Sequence, residues 1–373
     1  MIIVKEVQTK KQQKQFIDFP LNLYKGNQYF VPALYADEKA IFKKNYHYYK
    51  TSKAVYFLAY KDEKVVGRIS AILQRSSNEK WNQKRVRFTR FDCIDDQEVA
   101  NALFDAAVDF AKKENMEEIV GPLGFSDLER EGLLIEGFDY LSTFEEQYNY
   151  PYYQKLIENY GFEKEVDWLE HRLFYSDANY EKLEKVSQML LDRFHLKFVK
   201  VKSVRWFIKK YIKQFFEIID TTYDKIYGTV PITPEIQKSL ISSFKMVVTP
   251  KHIVAIVDEN DKIVAFALTF PAIGKDLQKS GGRITIPTLF KLLKTIHSLE
   301  YVDLGLVGVI PEYEMKGVAS AIFAMCLRYL KNGTTKYYET NLNLEDNHHI
   351  INQWHQNFEY IQHKRRRCYV KKI

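Results

Sequence analysis

The stretch Val302–Lys331, VDLGLVGVIPEYEMKGVASAIFAMCLRYLK, decides the fold. Val302–Val309 is rich in β-branched and glycine residues and reads as a strand that ends in a turn. Gly317-Val318-Ala319-Ser320 then opens an amphipathic helix that runs to Leu330. A strand, a turn and a helix start can hold an anion on the unpaired backbone N–H groups of the first turn. Gly317 lets the backbone come close to such a group. Glu314 sets a carboxylate beside the same loop.

Around this stretch the second half of the chain has a regular order. Arg205–Tyr223 reads as a long aromatic helix with lysines. That mixture fits either a membrane surface or, the preferred reading, an aromatic face packed on a sheet. Thr233-Pro234-Glu235 opens another helix, with Thr as N-cap and Pro in the first turn. Ile253–Val257 and Ile263–Phe270 form a hairpin about Asp258–Asp261. Residues 271–300 are an extra segment, helical from about Thr288 to Ser298. After the helix come a strand at Tyr337–Thr340, a helix at Asn347–Gln356 and a last strand at Arg366–Val370.

The first half runs in a similar order. It has a strand at Ile2–Val7, a helix at Gln12–Tyr24, a hairpin of Ala54–Tyr60 with Val65–Leu73, and a strand at Arg85–Asp92. Asp95-Asp96 caps a helix to Glu114, followed by a strand at Glu118–Val120. A helix at Tyr152–Tyr160 ends at Gly161, and a strand follows at Trp168–Tyr175. The repetition predicts two α/β units of mixed sheet with helices on both sides, 1–180 and 195–373, divided near Ser176–Lys200. Lys364-Arg365-Arg366-Arg367 is the densest basic run. It is read as an outer strand guarded against edge pairing. A phosphate-bearing ligand, an acidic partner or RNA are the other ligands it suits.

Aromatic residues make up 15% of the 373-residue chain, with 26 Tyr and 25 Phe, which excludes a disordered protein. The +7 net charge, from 55 basic and 48 acidic residues, is too mild to signal nucleic-acid binding. Three scattered cysteines give neither a disulfide framework nor metal spacing, and His348-His349 are adjacent rather than a helical i,i+4 pair. No metal is expected. No apolar run is long enough to cross a bilayer, so a cytoplasmic protein without a membrane is the expectation. Oligomeric state stays open.

With these elements placed, the chain resembles the GCN5-related N-acetyltransferase (GNAT) superfamily, and within it bacterial proteins carrying two such domains in tandem. The family loop Gln/Arg-x-x-Gly-x-Gly/Ala matches Glu314-Met315-Lys316-Gly317-Val318-Ala319, with Glu in place of Gln or Arg. Leu306–Val309 matches the strand that holds the pantetheine arm, and Asn347 the asparagine opening the last core helix. In the first half, Gly121–Phe125, Glu131–Asp139 and the helix ending Tyr160-Gly161-Phe162 resemble the tandem group. Asp95-Asp96-Gln97-Glu98 stands there in place of the loop, and its carboxylates repel a pyrophosphate. The resemblance thus implies a degenerate first unit and an acyl-CoA loop in the second.

Under that resemblance the cosubstrate is acetyl-CoA or another acyl-CoA, and the acceptor is a small-molecule or protein amine. The backbone at Val307 and Val309 would polarise the thioester, and Tyr360 would protonate the leaving thiolate. Tyr360 enters because the family's usual tyrosine falls on Trp354, whose N–H is no proton source. Val309, Met315, Lys316, Gly317, Val318, Ala319, Ser320 and Asn347 would hold the cosubstrate. Tyr223, Tyr227 and Glu131 would border the acceptor. The alternative is a catalytically inactive GNAT-like protein that binds a ligand or a protein.

Overall fold

A computed structural model describes residues 1–373. The strands are β1 (Ile2–Glu6), β2 (Ser52–Lys61), β3 (Lys64–Gln74), β4 (Arg85–Cys93), β5 (Glu118–Gly121), β6 (Leu133–Glu136), β7 (Glu163–Phe174), β8 (Lys197–Phe198), β9 (Ile253–Val257), β10 (Ile263–Pro271), β11 (Tyr301–Val309), β12 (Tyr337–Thr340), β13 (Asn343–Leu344) and β14 (Glu359–Lys372). Helices of eight residues or more are α1 (Lys10–Leu23), α2 (Gln97–Lys113), α3 (Tyr152–Asn159), α4 (Asp177–Arg193), α5 (Val204–Thr222), α6 (Pro234–Val247), α7 (Ile286–Thr295), α8 (Ala319–Lys331) and α9 (His348–Asn357). No helix is long and apolar enough to cross a membrane.

Polar side chains fix the helix starts, Asp96 as its sequence predicts and Ser203 in addition. Asp96 accepts from the Glu98 N–H at 3.0 Å at the start of α2, and Ser203 from Trp206 N–H at 3.1 Å at the start of α5. Helix α7 begins earlier than Thr288, because Thr285 caps it and Pro287 lies in its first turn. The stretch expected to divide the halves forms α4, which packs along α8.

The mixed α/β class is as expected, but the sheet is one rather than two. Its strands run β1-β2-β3-β4-β5-β14-β7-β12-β11-β10-β9-β8, with β13 on β7 and β6 on β14. The halves exchange their last strands. β14 pairs with β5 and β6 of the first half, and β7 pairs with β12 of the second. The two exchanged strands also lie antiparallel to each other from Phe174↔Glu359 to Val370↔Glu163. The sheet therefore does not break between residues 180 and 195.

This corrects the reading of Lys364–Arg367 as an outer strand. β14 lies in the middle of the sheet, and Lys364 and Arg366 are buried. Lys364 Nζ lies 2.5 Å from Glu339 Oε1 and 3.4 Å from Glu170 Oε2. Arg366 Nε lies 2.6 Å from Glu170 Oε1, while Arg365 and Arg367 bind Asp167. Strand alternation sends the two pairs to opposite faces, and each face supplies its own carboxylates. Burial pulls the Lys364 pKa down, but Glu339 and Glu170 more than offset this and hold the ammonium above its ordinary range.

Each half keeps its own apolar core. One packs β2–β5 against α2 and α3; the other packs β9–β12 against α5 and α8. A smaller cluster joins them, with Val31 of the first half against Ile273, Leu277 and Leu292 of the extra segment.

Candidate active site

The geometry of β11 starts with Gly305. Across β10, Leu268 faces Leu306 and Thr269 faces Leu304, so Gly305 is the extra residue of a β-bulge. A Cβ there would lie 2.3 Å from Cε2 of Phe270, so only glycine fits. On its other side β11 is parallel to β12 from Tyr301↔Tyr337 to Leu304↔Thr340 and no further. From Gly305 on, β11 has no strand on that side. Alternation points the N–H and C=O of Val307 and Val309 out of this open edge.

The Val307 groups have one partner, the Tyr223 hydroxyl. It accepts from Val307 N–H at 3.1 Å and donates to Val307 C=O at 3.0 Å. Tyr223 follows directly on α5, and burial pushes its phenol up to about 12. The edge expected to polarise a thioester thus holds a side-chain hydroxyl in its place.

The loop that follows starts with a short helical turn, Pro311–Glu314, and reaches φ +73° at Gly317. Lys316, Gly317 and Ser320 donate their N–H groups to Tyr313, Glu314 and Val318's neighbour Gly317, respectively, within the loop. The N–H groups of Val318 and Ala319 have no backbone partner, and no side chain caps α8. Two amides therefore remain at the positive end of the helix. Leu190 of α4 flanks the loop, 3.7 Å from where a Gly317 Cβ would be. Glu314 and Met315 are exposed. Lys316 does not pair with Glu314; its ammonium sits 4.3 Å from the Tyr313 ring centre and 5.0 Å from that of Phe194. Ser320 Oγ is buried without a partner.

The other expected site residues fall into two places. Asn347 is spent as the N-cap of α9, accepting from Ile350 N–H at 3.3 Å. Trp354 is buried against Phe323, its ring centre 5.3 Å away, and donates to Asn343 Oδ1 at 2.9 Å. Tyr360 is on β14, in register with Leu173, which pairs with Tyr338, which pairs with Val302. That is three strands, roughly 14 Å, to the side of β11, so the structure does not bring Tyr360 to the Val307 edge. Its ring stacks on His355 at 3.9 Å.

Tyr223, Tyr227 and Glu131 do converge, at the junction of the halves. The loop after α5 sits on the first half through Arg87, which donates to Gly228 C=O at 2.8 Å, and Asp127, which accepts from Val230 N–H at 3.1 Å. Glu131 Oε1 is 3.5 Å from a Cβ placed on Gly228 and has no hydrogen-bond partner. Burial first, then the neighbouring Asp127 charge, push its carboxyl well above the usual range. Tyr227 Oη lies 3.6 Å from Cys368 Sγ. It lines a small polar pocket with Arg85, Arg87, Asn78 and Trp81.

Two features escaped the sequence. The first is a small apolar pocket between α5, α6 and the β9–β10 hairpin, lined by Phe207, Ile212, Phe215, Phe244, Val248 and Phe266 among others. Ala267, also in its wall, is the register partner of Val307. The second is the charged group at the sheet centre. Glu170, Glu339 and His363 offer ligand atoms within 4.8 Å of one another, but the Lys364 ammonium fills the cation position between the two carboxylates. Asp303 is buried beside this group with Oδ2 unpartnered.

A strand with a glycine bulge that splays from its parallel neighbour and runs into a glycine loop at a helix N-terminus is present in the second half. The comparison with solved structures then decides the architecture. A tandem GNAT protein from the clavulanic acid biosynthesis pathway superposes over 100% of this chain and 98% of its own, with a TM-score of 0.58 and 10% sequence identity. The chain has the tandem GNAT fold. No protein-family model matches it. Among curated proteins, YghO of Escherichia coli (strain K12) is 25% identical over 336 residues, covering 88% of this chain and 84% of YghO. The bacterial ceramide synthase of Caulobacter vibrioides is 25% identical over 247 residues, covering 65% of this chain and 63% of that protein. In GNAT terms, β11 and β12 are the splayed pair, Gly317 lies in the loop, and β7 and β14 are the closing strands that the two halves exchange.

Proposed function

We propose that the protein transfers an acyl group from acyl-CoA to an amine, at the open edge of β11. The observation that carries this reading is the edge itself: Val307 and Val309 face no strand, Val307 being held only by the Tyr223 hydroxyl, beside a loop whose Val318 and Ala319 amides have no backbone partner. Those amides bind the pyrophosphate, and the edge N–H polarises the acyl carbonyl. The amine approaches past Tyr223 and Tyr227, from the junction of the halves. We read the substrate as one with a long alkyl chain, because the small pocket behind Val307 is lined entirely by apolar residues. The similarity to a protein named ceramide synthase supports the same class, since a ceramide is an N-acylated long-chain amine.

The test is titration calorimetry with acetyl-CoA and with a long-chain acyl-CoA, followed by thiol release on adding short- and long-chain amines. Saturable binding and release with a long-chain reactant are expected. Ile212→Trp, which fills the cavity, is expected to lower use of that reactant while leaving acetyl-CoA binding unchanged. Equal loss of both would count against the chain assignment.

One observation favours the binding-only alternative: the hydroxyl of Tyr223 occupies both edge groups of Val307. In the acyltransferase reading this ring swings aside when the cosubstrate enters. Tyr223→Phe removes two hydrogen bonds that compete with the ligand. It is expected to tighten acyl-CoA binding by about thirtyfold, the equivalent of two net hydrogen-bond contributions of ~1 kcal/mol each. Unchanged affinity with no turnover would favour the binding-only protein.

A further inference from the structure

Helix α7 belongs to the extra segment that interrupts the second GNAT unit, and it is amphipathic the wrong way round. Its inner face holds Thr288 and Leu292, which are buried. Its outer face carries Ile286, Leu289, Phe290 and Leu293 at i, i+3, i+4 and i+7 spacing, all exposed. Ile286 is 75% exposed and Phe290 70%. Ile284 extends the stripe beyond the helix start. Single exposed apolar side chains are ordinary, but a contiguous stripe of them on one helix face marks a contact surface.

Charge selects what covers it. Lys291 and Lys294 stand on the same helix, exposed, and neither has a carboxylate within salt-bridge distance. Exposed Lys275 and Lys279, on the preceding turn of the segment, are likewise unpaired. The carboxylates nearby are already engaged: Asp276 accepts from Thr295 at 2.7 Å, and Glu300 pairs with Lys336. An apolar stripe flanked on one side by the unpaired Lys294 and Lys291 complements a surface that is apolar inside and anionic outside.

We infer that α7 docks the protein flat on an anionic lipid surface, with Ile286, Phe290 and Leu293 entering the acyl-chain boundary and Lys291 and Lys294 meeting the headgroups. A ten-residue helix, about 15 Å long, is too short to cross a bilayer and long enough to lie on one. Such peripheral contact needs no spanning helix, and none of the helices is long and apolar enough to be one. The surface also adjoins the apolar cavity: Val247 of α6 packs beside Leu292, and its neighbours Phe244 and Val248 line the cavity. The inference rests on the helix and not on the acyl-CoA reading.

The experiment is co-sedimentation of the full-length protein with vesicles of phosphatidylcholine plus phosphatidylglycerol, and with vesicles of phosphatidylcholine alone. The protein is expected to sediment with the anionic vesicles and to be released by salt. Ile286→Glu with Phe290→Glu is expected to weaken this about tenfold or more, and Lys291→Glu with Lys294→Glu to abolish the preference for anionic lipid. Both pairs are exposed, so the thermal midpoint and the acyl-CoA titration should match the parent, which separates a failure of docking from a failure of the active-site reading. No sedimentation with anionic vesicles would overturn the inference. So would a parent that dimerises through the stripe without binding vesicles, with the dimer lost in the Ile286→Glu, Phe290→Glu variant.

Discussion

Replacing Lys364 with methionine is expected to remove about 3–5 kcal/mol of stability, a large part of the roughly 5–15 kcal/mol typical of a folded domain. The ammonium is buried and lies between Glu339 and Glu170. Methionine conserves much of the volume, so the loss is electrostatic: two carboxylates stay buried with one fewer cation. Burial alone would raise the Glu339 pKa, and it is Lys364, then His363, that holds it below the carboxylate range. Adding Glu339→Gln to Lys364→Met removes one orphaned charge and is expected to restore part of the loss. The measurement is the denaturant midpoint of the three proteins. A single variant within about 1 kcal/mol of the parent, the scale of an exposed pair, would show that the pair is solvated and not a buried clamp.

Separating the halves is expected to abolish folding of the first. A fragment of residues 1–180 keeps β5, β6 and β7 but lacks β14, which pairs with all three. Their ladder groups would be exposed as open edges, the condition that drives strand-to-strand aggregation. The fragment alone is expected to aggregate, whereas 1–180 and 195–373 produced together should copurify as one complex. A soluble, cooperatively unfolding 1–180 monomer would contradict the exchange of closing strands.

The sequence was most legible where local rules suffice. Val302–Lys331 carries its strand, loop glycine and helix within one continuous stretch, and all three are where the pattern puts them. Asp96, Thr233 and Asn347 cap the helices they precede. Long-range pairing was not legible. Lys364–Arg367 reads as a solvated edge because its partners Glu170, Asp167 and Glu339 come from two other strands. An alternating basic strand looks the same whether its charges meet water or buried carboxylates. Tyr223 meets Val307 across 84 residues of chain, and no spacing rule covers that distance. Tyr360 is near Trp354 in sequence, but the register of β14 sends it three strands away from β11. The apolar cavity drew on residues that read simply as core, since a lining residue and a packed one have the same composition.

The central claim is that the Gly317 loop and the β11 edge hold acyl-CoA, and Gly317→Val tests it most directly. Gly317 sits at φ +73°, a region that a β-branched residue avoids, and a Cβ there meets nothing closer than Leu190 at 3.7 Å. The substitution therefore strains the loop without crowding a core. Calorimetric titration with acyl-CoA is predicted to give saturable binding for the parent and none for Gly317→Val, with the thermal midpoint lowered by only a few degrees and unfolding still cooperative. Equal binding by both proteins, or no binding by the parent at millimolar ligand, would contradict the account.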